Sequence, residues 1–348
     1  MTANSKERPY KPSWVDGFTD WVETLPIRGW IFYAGTGLGL ILIQVLFLWL
    51  DGGLAKAEVL LPIIIFNAFL TPFGLALMHL LDYQATAAIN SMRPALVMTE
   101  LEFDEFQYKL SNMPSRVALV VALVTLASLI LSEQLQGVPI RFAALEQLPI
   151  FAVVFHVIDK APALVFGVFV YHSIRQLRLV NTINSNYVRV SLYRPGPFQA
   201  FSRLTASTAV GLVVGVYGWM LINPELLANP MSLGAVGALT ILAVAVFVWP
   251  LYGAHRLMQE EKERALHKID LCFEAVFSEF NQRIHDDDYA ATERLNGTIT
   301  SLEIQHNRVS AIPTWPWRSE TARVALTAIA LPLLLMIIQF FILQALDG

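Results

Sequence analysis

Residues 232–284 read SLGAVGALTILAVAVFVWPLYGAHRLMQEEKERALHKIDLCFEAVFSEFNQRI, an apolar run that passes into an amphipathic one. The first half is long enough to cross the hydrocarbon core of a bilayer, which takes about 20 apolar helical residues. In the second half, apolar side chains recur every three or four residues, as one face of a helix requires; they are Leu266, Ile269, Phe273, Val276, Phe280 and Ile284. The segment therefore predicts one helix, about 80 Å long at 1.5 Å per residue, that leaves the membrane and continues.

The composition of the whole chain agrees with this local signal. Of 348 residues, 55% are hydrophobic and 15% are charged, whereas a soluble domain carries about 25% charged residues. These values predict a multi-pass protein of the plasma or inner membrane, with the lipid bilayer as its first partner. The formal net charge of −4 gives no reason to expect nucleic acid as a partner.

Seven stretches are apolar enough to predict membrane spans in an all-α bundle. They are Trp30–Leu50, Val59–Leu81, Val117–Leu131, Leu148–Tyr171, Leu204–Ile222, Ser232–Ala254 and Val324–Ala345. The third is short and the fourth contains charge. An odd number of spans places the two termini on opposite sides of the membrane.

Lysine and arginine set the orientation, because cytoplasmic loops are enriched in them. With residue 1 in the cytoplasm, 21 of the 24 basic residues fall on the inner side. The outer side then holds Lys56 and Arg141, and Lys160 lies within the fourth span. The sequence thus predicts seven spans with the N-terminus inside and the C-terminus outside.

Long helices are expected to extend from the membrane into a cytoplasmic helical domain. After the turn signal "HDDDY", a second amphipathic helix runs back to Ile312 and completes an antiparallel hairpin. The fourth span is expected to continue as a helix to the break at Pro195. The chain divides into a cytoplasmic segment 1–29, six spans with their connections 30–254, the hairpin 255–318 and the last span 319–348.

Two shorter features lie in the predicted cytoplasmic parts. Thr99 and Glu102 match a capping box at the start of a helix whose apolar stripe is Phe103, Phe106 and Leu110. This helix either docks on the bundle or lies at the membrane interface. The single cysteine, Cys272, has neighbours Phe273, Val276 and Phe277 and is expected to be a packed apolar thiol.

Polar residues in the fourth span are the first candidate site. His156, Asp159 and Lys160 either face a polar cavity, since charge inside a bilayer is costly, or lie in the outer headgroup region if the span begins near Ala161. Asn67, between two prolines of the second span, is a further candidate for the wall of this ligand or polar cavity.

The last span carries the second candidate site. Pro332 interrupts its helical hydrogen bonds, and Gln339 and Gln344 are its polar side chains. A glutamine there joins helices by hydrogen bonds, or lines a pore in a symmetric assembly.

The entrance to the last span is a third candidate, an interfacial hinge. It consists of Pro313, Trp315, Pro316, Trp317 and Arg318. Tryptophan beside arginine is typical of a membrane-interface anchor. Two prolines in four residues also make a stiff corner that could couple the hairpin to the last span.

Enzymatic chemistry is not expected. His79, His172 and His255 stand at inner ends of spans, where such residues are commonly interfacial, and the last span has no His, Asp or Glu. No Gly-x-Ser-x-Gly and no glycine-rich phosphate loop is present. The sequence therefore predicts no catalytic residues, no metal site and no cofactor.

Two resemblances extend this interpretation. The motifs LYRPGPFQAFSRLTA (192–206), LSNMPSR (110–116) and AIPTWPW (311–317) resemble a family of uncharacterised prokaryotic multi-pass membrane proteins. The layout is similar to insect odorant and gustatory receptor channels, which have seven spans, an inner N-terminus and a cytoplasmic anchor domain. In the last span, Gln339-Phe340 matches the end of that family's motif, whereas Pro332-Leu333 stand where it has Thr-Tyr.

The resemblance implies a homo-oligomeric ion channel or receptor-channel, such as a tetramer, with the last span lining the pore. Two alternatives stay open at this point. One is a secondary transporter that uses the polar residues of the fourth span. The other is a membrane scaffold or sensor that acts through its cytoplasmic helices without transport.

Overall fold

The computed structural model describes residues 8–50, 57–136, 149–188, 192, 199–222, 230–286, 289–317 and 319–346. These residues form ten α-helices: α1 Trp14–Glu23, α2 Gly29–Leu50, α3 Ala57–Met92, α4 Glu100–Ser111, α5 Ser115–Gln136, α6 Pro149–Asn186, α7 Ser202–Ile222, α8 Pro230–His285, α9 Tyr289–Ser310 and α10 Ser319–Leu346. A short 3-10 turn, Arg93–Ala95, follows α3. Within the described residues the only β-type pairs are two isolated bridges. The all-α prediction is confirmed.

Four segments are long and apolar enough to cross a membrane. They are Gly29–Leu50, Leu61–Ala95, Val153–Asn186 and Thr240–His285, in α2, α3, α6 and α8. The apolar part of α5, Ser115–Leu131, is shorter. The fifth and seventh predicted spans fall on α7 and α10, in each of which some side chains lie outside the described set. The count of seven spans and their orientation stay predictions.

Contacts between helices fix their relative directions. In α2 and α3, Tyr33 bonds to His79 while Phe69 lies against Gly37, so the two helices are antiparallel. In α3 and α6, Asn67 meets Asp159 and Asp82 meets His172, so these helices run parallel.

Helix α7 runs opposite to α3. Leu77 lies against Gly211, and Phe66, earlier on α3, lies against Gly218, later on α7. The largest apolar cluster draws buried side chains from nine of the described helices, all except α9, with the largest shares from α3 and α6. Helices α3 and α6 are therefore central to the bundle.

The predicted hairpin is present. Helix α8 continues unbroken through Pro250 for 56 residues, and α9 returns beside it. Lys262 on α8 donates to Ser310 O at 2.6 Å and to Ile312 O at 2.9 Å, which satisfies carbonyls at the end of α9. The arms are antiparallel, since His306 lies 3.8 Å from Asp270, farther along α8.

Helix α4 docks on the bundle, as one of the two sequence readings predicted. Thr99 and Glu102 form the capping box, and Phe103 and Leu110 are buried. The continuation of α6 is shorter than expected, because the helix ends at Asn186 and not at Pro195. There the Tyr187 carbonyl accepts from Val97 N–H at 2.7 Å, a bond that links the chain to the segment before α4.

The prediction for Cys272 is wrong. The thiol is exposed on the outer face of α8. The stripe that faces α9 consists of half-buried side chains such as Phe273, Val276 and Phe280. Because Cys272 lies one position before Phe273, it is rotated by about 100° away from this stripe.

Candidate functional site

The structure brings Asn67 and Asp159 together between α3 and α6. Asn67 Nδ2 donates to Asp159 Oδ1 at 2.8 Å, and Lys160 Nζ lies 2.9 Å from Asp159 Oδ2. Asn67 is buried, and the side chain of Asp159 is 13% exposed. His156 lies one turn earlier on α6 and is half-buried. Each oxygen of the carboxylate thus has a donor, the arrangement that a charge in low dielectric requires.

A second polar layer lies farther along the same two helices. His172 Nε2 is 3.0 Å from Asp82 Oδ1, and the His172 side chain is fully buried. Gln176, one turn later, donates to Leu110 O at 2.9 Å, at the end of α4. His172 is therefore not the interfacial residue that the sequence predicted, because α1 and α4 cover this end of α6.

Helix α1 contributes Asp16 to this second layer. Ser13 and Asp16 form a capping box, and Asp16 Oδ2 also accepts from the Met113 N–H at 2.9 Å. Asp16 is 2% exposed. Burial raises the pKa of the Asp16 carboxyl, and the hydrogen bonds from Met113 and Ser13 oppose that rise.

The segment before α1 is tied to the same place through Tyr10. The Tyr10 hydroxyl donates to Asn112 O at 2.9 Å and accepts from the Arg175 guanidinium, while Tyr108 donates to Tyr10 O at 2.7 Å. Burial raises the pKa of Tyr10 far above its ordinary value, although Arg175 opposes the rise. The N-terminal segment is thus fixed by buried polar contacts.

The layer between these polar groups is apolar. Asp159 and His172 are 13 positions apart on α6, about 20 Å at 1.5 Å per residue. The gap is closed by close contacts such as Val165 against Gly74. Its cavity, lined by residues including Leu70, Phe73 and Phe169, has a volume of about 10 Å³, at the lower limit for one water molecule. The described contacts between α3 and α6 around this cavity are therefore apolar and closely packed.

Aromatic rings from the predicted hinge and from α8 form a continuous stack. His255 stacks on Trp315 with ring centroids 4.0 Å apart, Trp315 on Trp317 at 4.3 Å, and Trp317 on Phe247 at 5.3 Å. Pro316, between the tryptophans, is buried. The stack joins residues 315–317, just before α10, to Phe247 and His255 on α8. Lys262 donates to the carbonyl of Ile312, the residue before Pro313. Arg318 lies outside the described residues.

The predicted pore residues lie on α10. Pro332, Gln339 and Gln344 fall within the helix Ser319–Leu346, but their side chains are outside the described set. Near its start, α10 buries Ala325 and Ile329 against the main core. It packs on α7 and α8. Its backbone is placed at one side of the bundle.

The sequence analysis did not identify Asp16 as a buried acid. Its signal was present, because Ser13 and Asp16 have the spacing of a capping box. Burial of both residues depends on α4 and α5, which are distant in sequence. Within the described part of the chain, no group of three or more His, Cys, Asp or Glu side chains could hold a metal ion.

No family model matches this sequence, and comparisons with curated proteins and with solved structures found no significant match. The two resemblances drawn from short motifs and from layout stay predictions.

Proposed function

We propose that the chain crosses the membrane seven times, with residue 1 inside and residue 348 outside. The parallel directions of α3 and α6 support this topology, because the chain between them must return along the bundle. Helix α5, with 22 residues and a length of about 33 Å, supplies that return. Helices α1 and α4 both lie at the end of the bundle where α6 carries Arg175, as the positive-inside rule requires.

Labelling of Cys272 tests this orientation. The thiol is exposed and is the only one in the chain. A membrane-impermeant maleimide should leave intact cells unlabelled and should react after permeabilisation, because the hairpin faces the cytoplasm. The matched control is a Cys272→Ser variant carrying a cysteine appended after Gly348, which should react in intact cells. Reaction of Cys272 in intact cells would contradict the proposed topology.

We propose further that the protein is a homo-oligomeric ion channel whose pore forms between copies. The observation that carries this proposal is the packed apolar layer between the two polar layers of a single copy. A route for ions is then expected between subunits, where α10 is available at one side of the bundle. The hairpin supports assembly, since Leu271, Phe277, Ile284 and Ile304 are each about half exposed.

Ion flux through reconstituted protein tests the channel. Vesicles loaded with potassium chloride should lose potassium faster with protein than without it, and Gln339→Leu should reduce the efflux severalfold, because it removes a polar group from the predicted pore helix. Gln44→Leu is the matched control. Gln44 is buried on α2 and bonds to its own helix at Leu40, so its replacement should leave efflux unchanged.

The oligomeric state provides an independent arm of the same test. A strict monomer in detergent and in nanodiscs cannot place several copies of α10 around one axis, and it would contradict the channel. Equal efflux from the wild type and from Gln339→Leu would remove α10 from the pore.

A secondary transporter is the second candidate, favoured by the Asn67–Asp159–Lys160 group. Ionisable residues inside a span commonly mark a substrate or ion route. Saturable uptake that depends on an ion gradient and fails in Asp159→Asn would favour this candidate over the channel. A protein that shows neither ion flux nor coupled uptake would favour the remaining alternative, a membrane scaffold or sensor.

A further inference from the structure

The carboxylate of Asp16 is buried in an unusual way for an ionised group. Oxygen Oδ2 accepts two backbone N–H groups, from Ser13 at 2.6 Å and from Met113 at 2.9 Å. Oxygen Oδ1 is buried and has no hydrogen-bond partner among the described residues. No side-chain cation is within ion-pair distance of this carboxylate in the described chain. A buried acceptor without a donor is costly when the group is charged.

The charged and titratable groups around Asp16 come from several elements. Helix α3 contributes Asp82 and His79, and helix α6 contributes His172 and Arg175. Helix α4 contributes Tyr108, and the segment before α1 contributes Tyr10.

Three of the basic side chains nearby already have partners. His172 faces Asp82 at 3.0 Å, and Arg175 donates to the Tyr10 hydroxyl. His79 faces Glu23 at 2.9 Å, so each of these basic groups has another partner and the Asp16 carboxylate lacks a dedicated counter-ion.

We propose that Asp16, with the His172–Asp82 pair beside it, is a proton-binding site, and that a bound proton holds helix α1 against the end of the bundle. The protonated carboxyl keeps its carbonyl oxygen as the acceptor for Ser13 and Met113. Protonation of the carboxylate also removes the buried charge that lacks a counter-ion. The inference concerns the N-terminal helix and does not depend on ion conduction.

The direction of the pH dependence follows from linkage. Docking raises the pKa of Asp16, chiefly through burial, so the docked state binds a proton more tightly than the undocked state. Docking is then strongest below the ordinary pKa of an aspartate and weakens as pH rises through the raised value. Each unit of difference between the two pKa values changes the docking equilibrium constant by about tenfold.

Cysteine labelling in nanodiscs measures this equilibrium on the full chain. In a Cys272→Ser background, Val15→Cys places a thiol at a site that is 1% exposed under α1. Gly17→Cys places the control thiol on the exposed face of the same helix, where an added Cβ meets nothing within 4 Å. The ratio of the two labelling rates cancels the ordinary increase of thiolate with pH. We expect the ratio to rise as pH increases through the raised pKa of Asp16, by about tenfold for each unit by which docking raises that pKa.

Two replacements of Asp16 separate the proton from the hydrogen bonds. Asp16→Asn keeps an acceptor oxygen and carries no charge, so the labelling ratio should stay low at every pH. Asp16→Ala removes the acceptor and should leave the ratio high at every pH. A ratio in the original chain that is flat or falls with increasing pH would overturn the proposal, and so would a pH dependence that persists in Asp16→Asn. A flat or falling ratio can be detected without replacing Asp16, so this test does not depend on whether the Asp16 variants fold.

Discussion

Trp317→Ala should lower the free energy of unfolding by about 2 kcal/mol, less than the loss for a fully buried aromatic side chain, because Trp317 is only partly buried. Trp317 stacks on Trp315 on one side and on Phe247 of α8 on the other, and it packs against the main core. Its removal interrupts the row of rings that joins α8 to the start of α10. We expect the link 311–317 to lose protection from hydrogen exchange more than α3 does, because α3 is held by other helices.

Trp30→Ala is the matched control for this loss. Trp30 is 66% exposed, so its truncation removes little packing and should change the unfolding free energy by about 0.5 kcal/mol or less, as at other exposed sites. Unfolding by sodium dodecyl sulfate, followed by far-ultraviolet circular dichroism, compares the two variants. Equal losses would mean that the ring stack contributes no more than an exposed tryptophan does.

Gly167→Ala should cost about 1–3 kcal/mol, the usual penalty for overpacking a tight interface. A Cβ on Gly167 of α6 would lie 2.8 Å from both Cβ and Cγ2 of Thr125 on α5. The branched threonine cannot withdraw by rotating its terminal atoms, since Cβ itself is in the way. The two helices would have to separate, and the same unfolding measurement reports the loss.

A second substitution should restore this contact. Thr125→Gly removes the obstructing Cβ and a local hydrogen bond to Val121 O, so in combination with Gly167→Ala it should recover part of the lost stability, less about 1 kcal/mol for glycine in a helix interior. Gly297→Ala on α9, where the added Cβ meets nothing within 4 Å, should instead stabilise by up to about 1 kcal/mol through helix propensity. Additive losses in the double variant would show that the steric argument is wrong.

Periodicity along the chain was sufficient for the helices but not for their packing. The 56-residue α8 and its hairpin with α9 were predictable, because the apolar spacing of three and four continues past the apolar first half of α8 and ends in a run of aspartates. The capping box at Thr99 was equally local. Features that depend only on residues near in sequence could thus be predicted from the sequence.

Burial by distant parts of the chain could not be derived in this way. His172 resembles an interfacial histidine until α1 and α4 cover it, and Asp16 becomes a buried acid only because Met113 donates to it across 97 positions. The exposure of Cys272 was missed for the opposite reason. An apolar neighbourhood in sequence does not specify on which side of a helix a residue lies.

The length of α8 has a mechanical consequence. About 30 of its residues, from His255 to His285, extend past the ring stack, a distance of about 45 Å. A lean of only 5° at the base would displace the far tip by about 4 Å, nearly the pitch of one helical turn. A small change in the angle of α8 at the ring stack therefore becomes a large movement at its far end. A force on that end would in turn exert torque on Phe247 and on the start of α10.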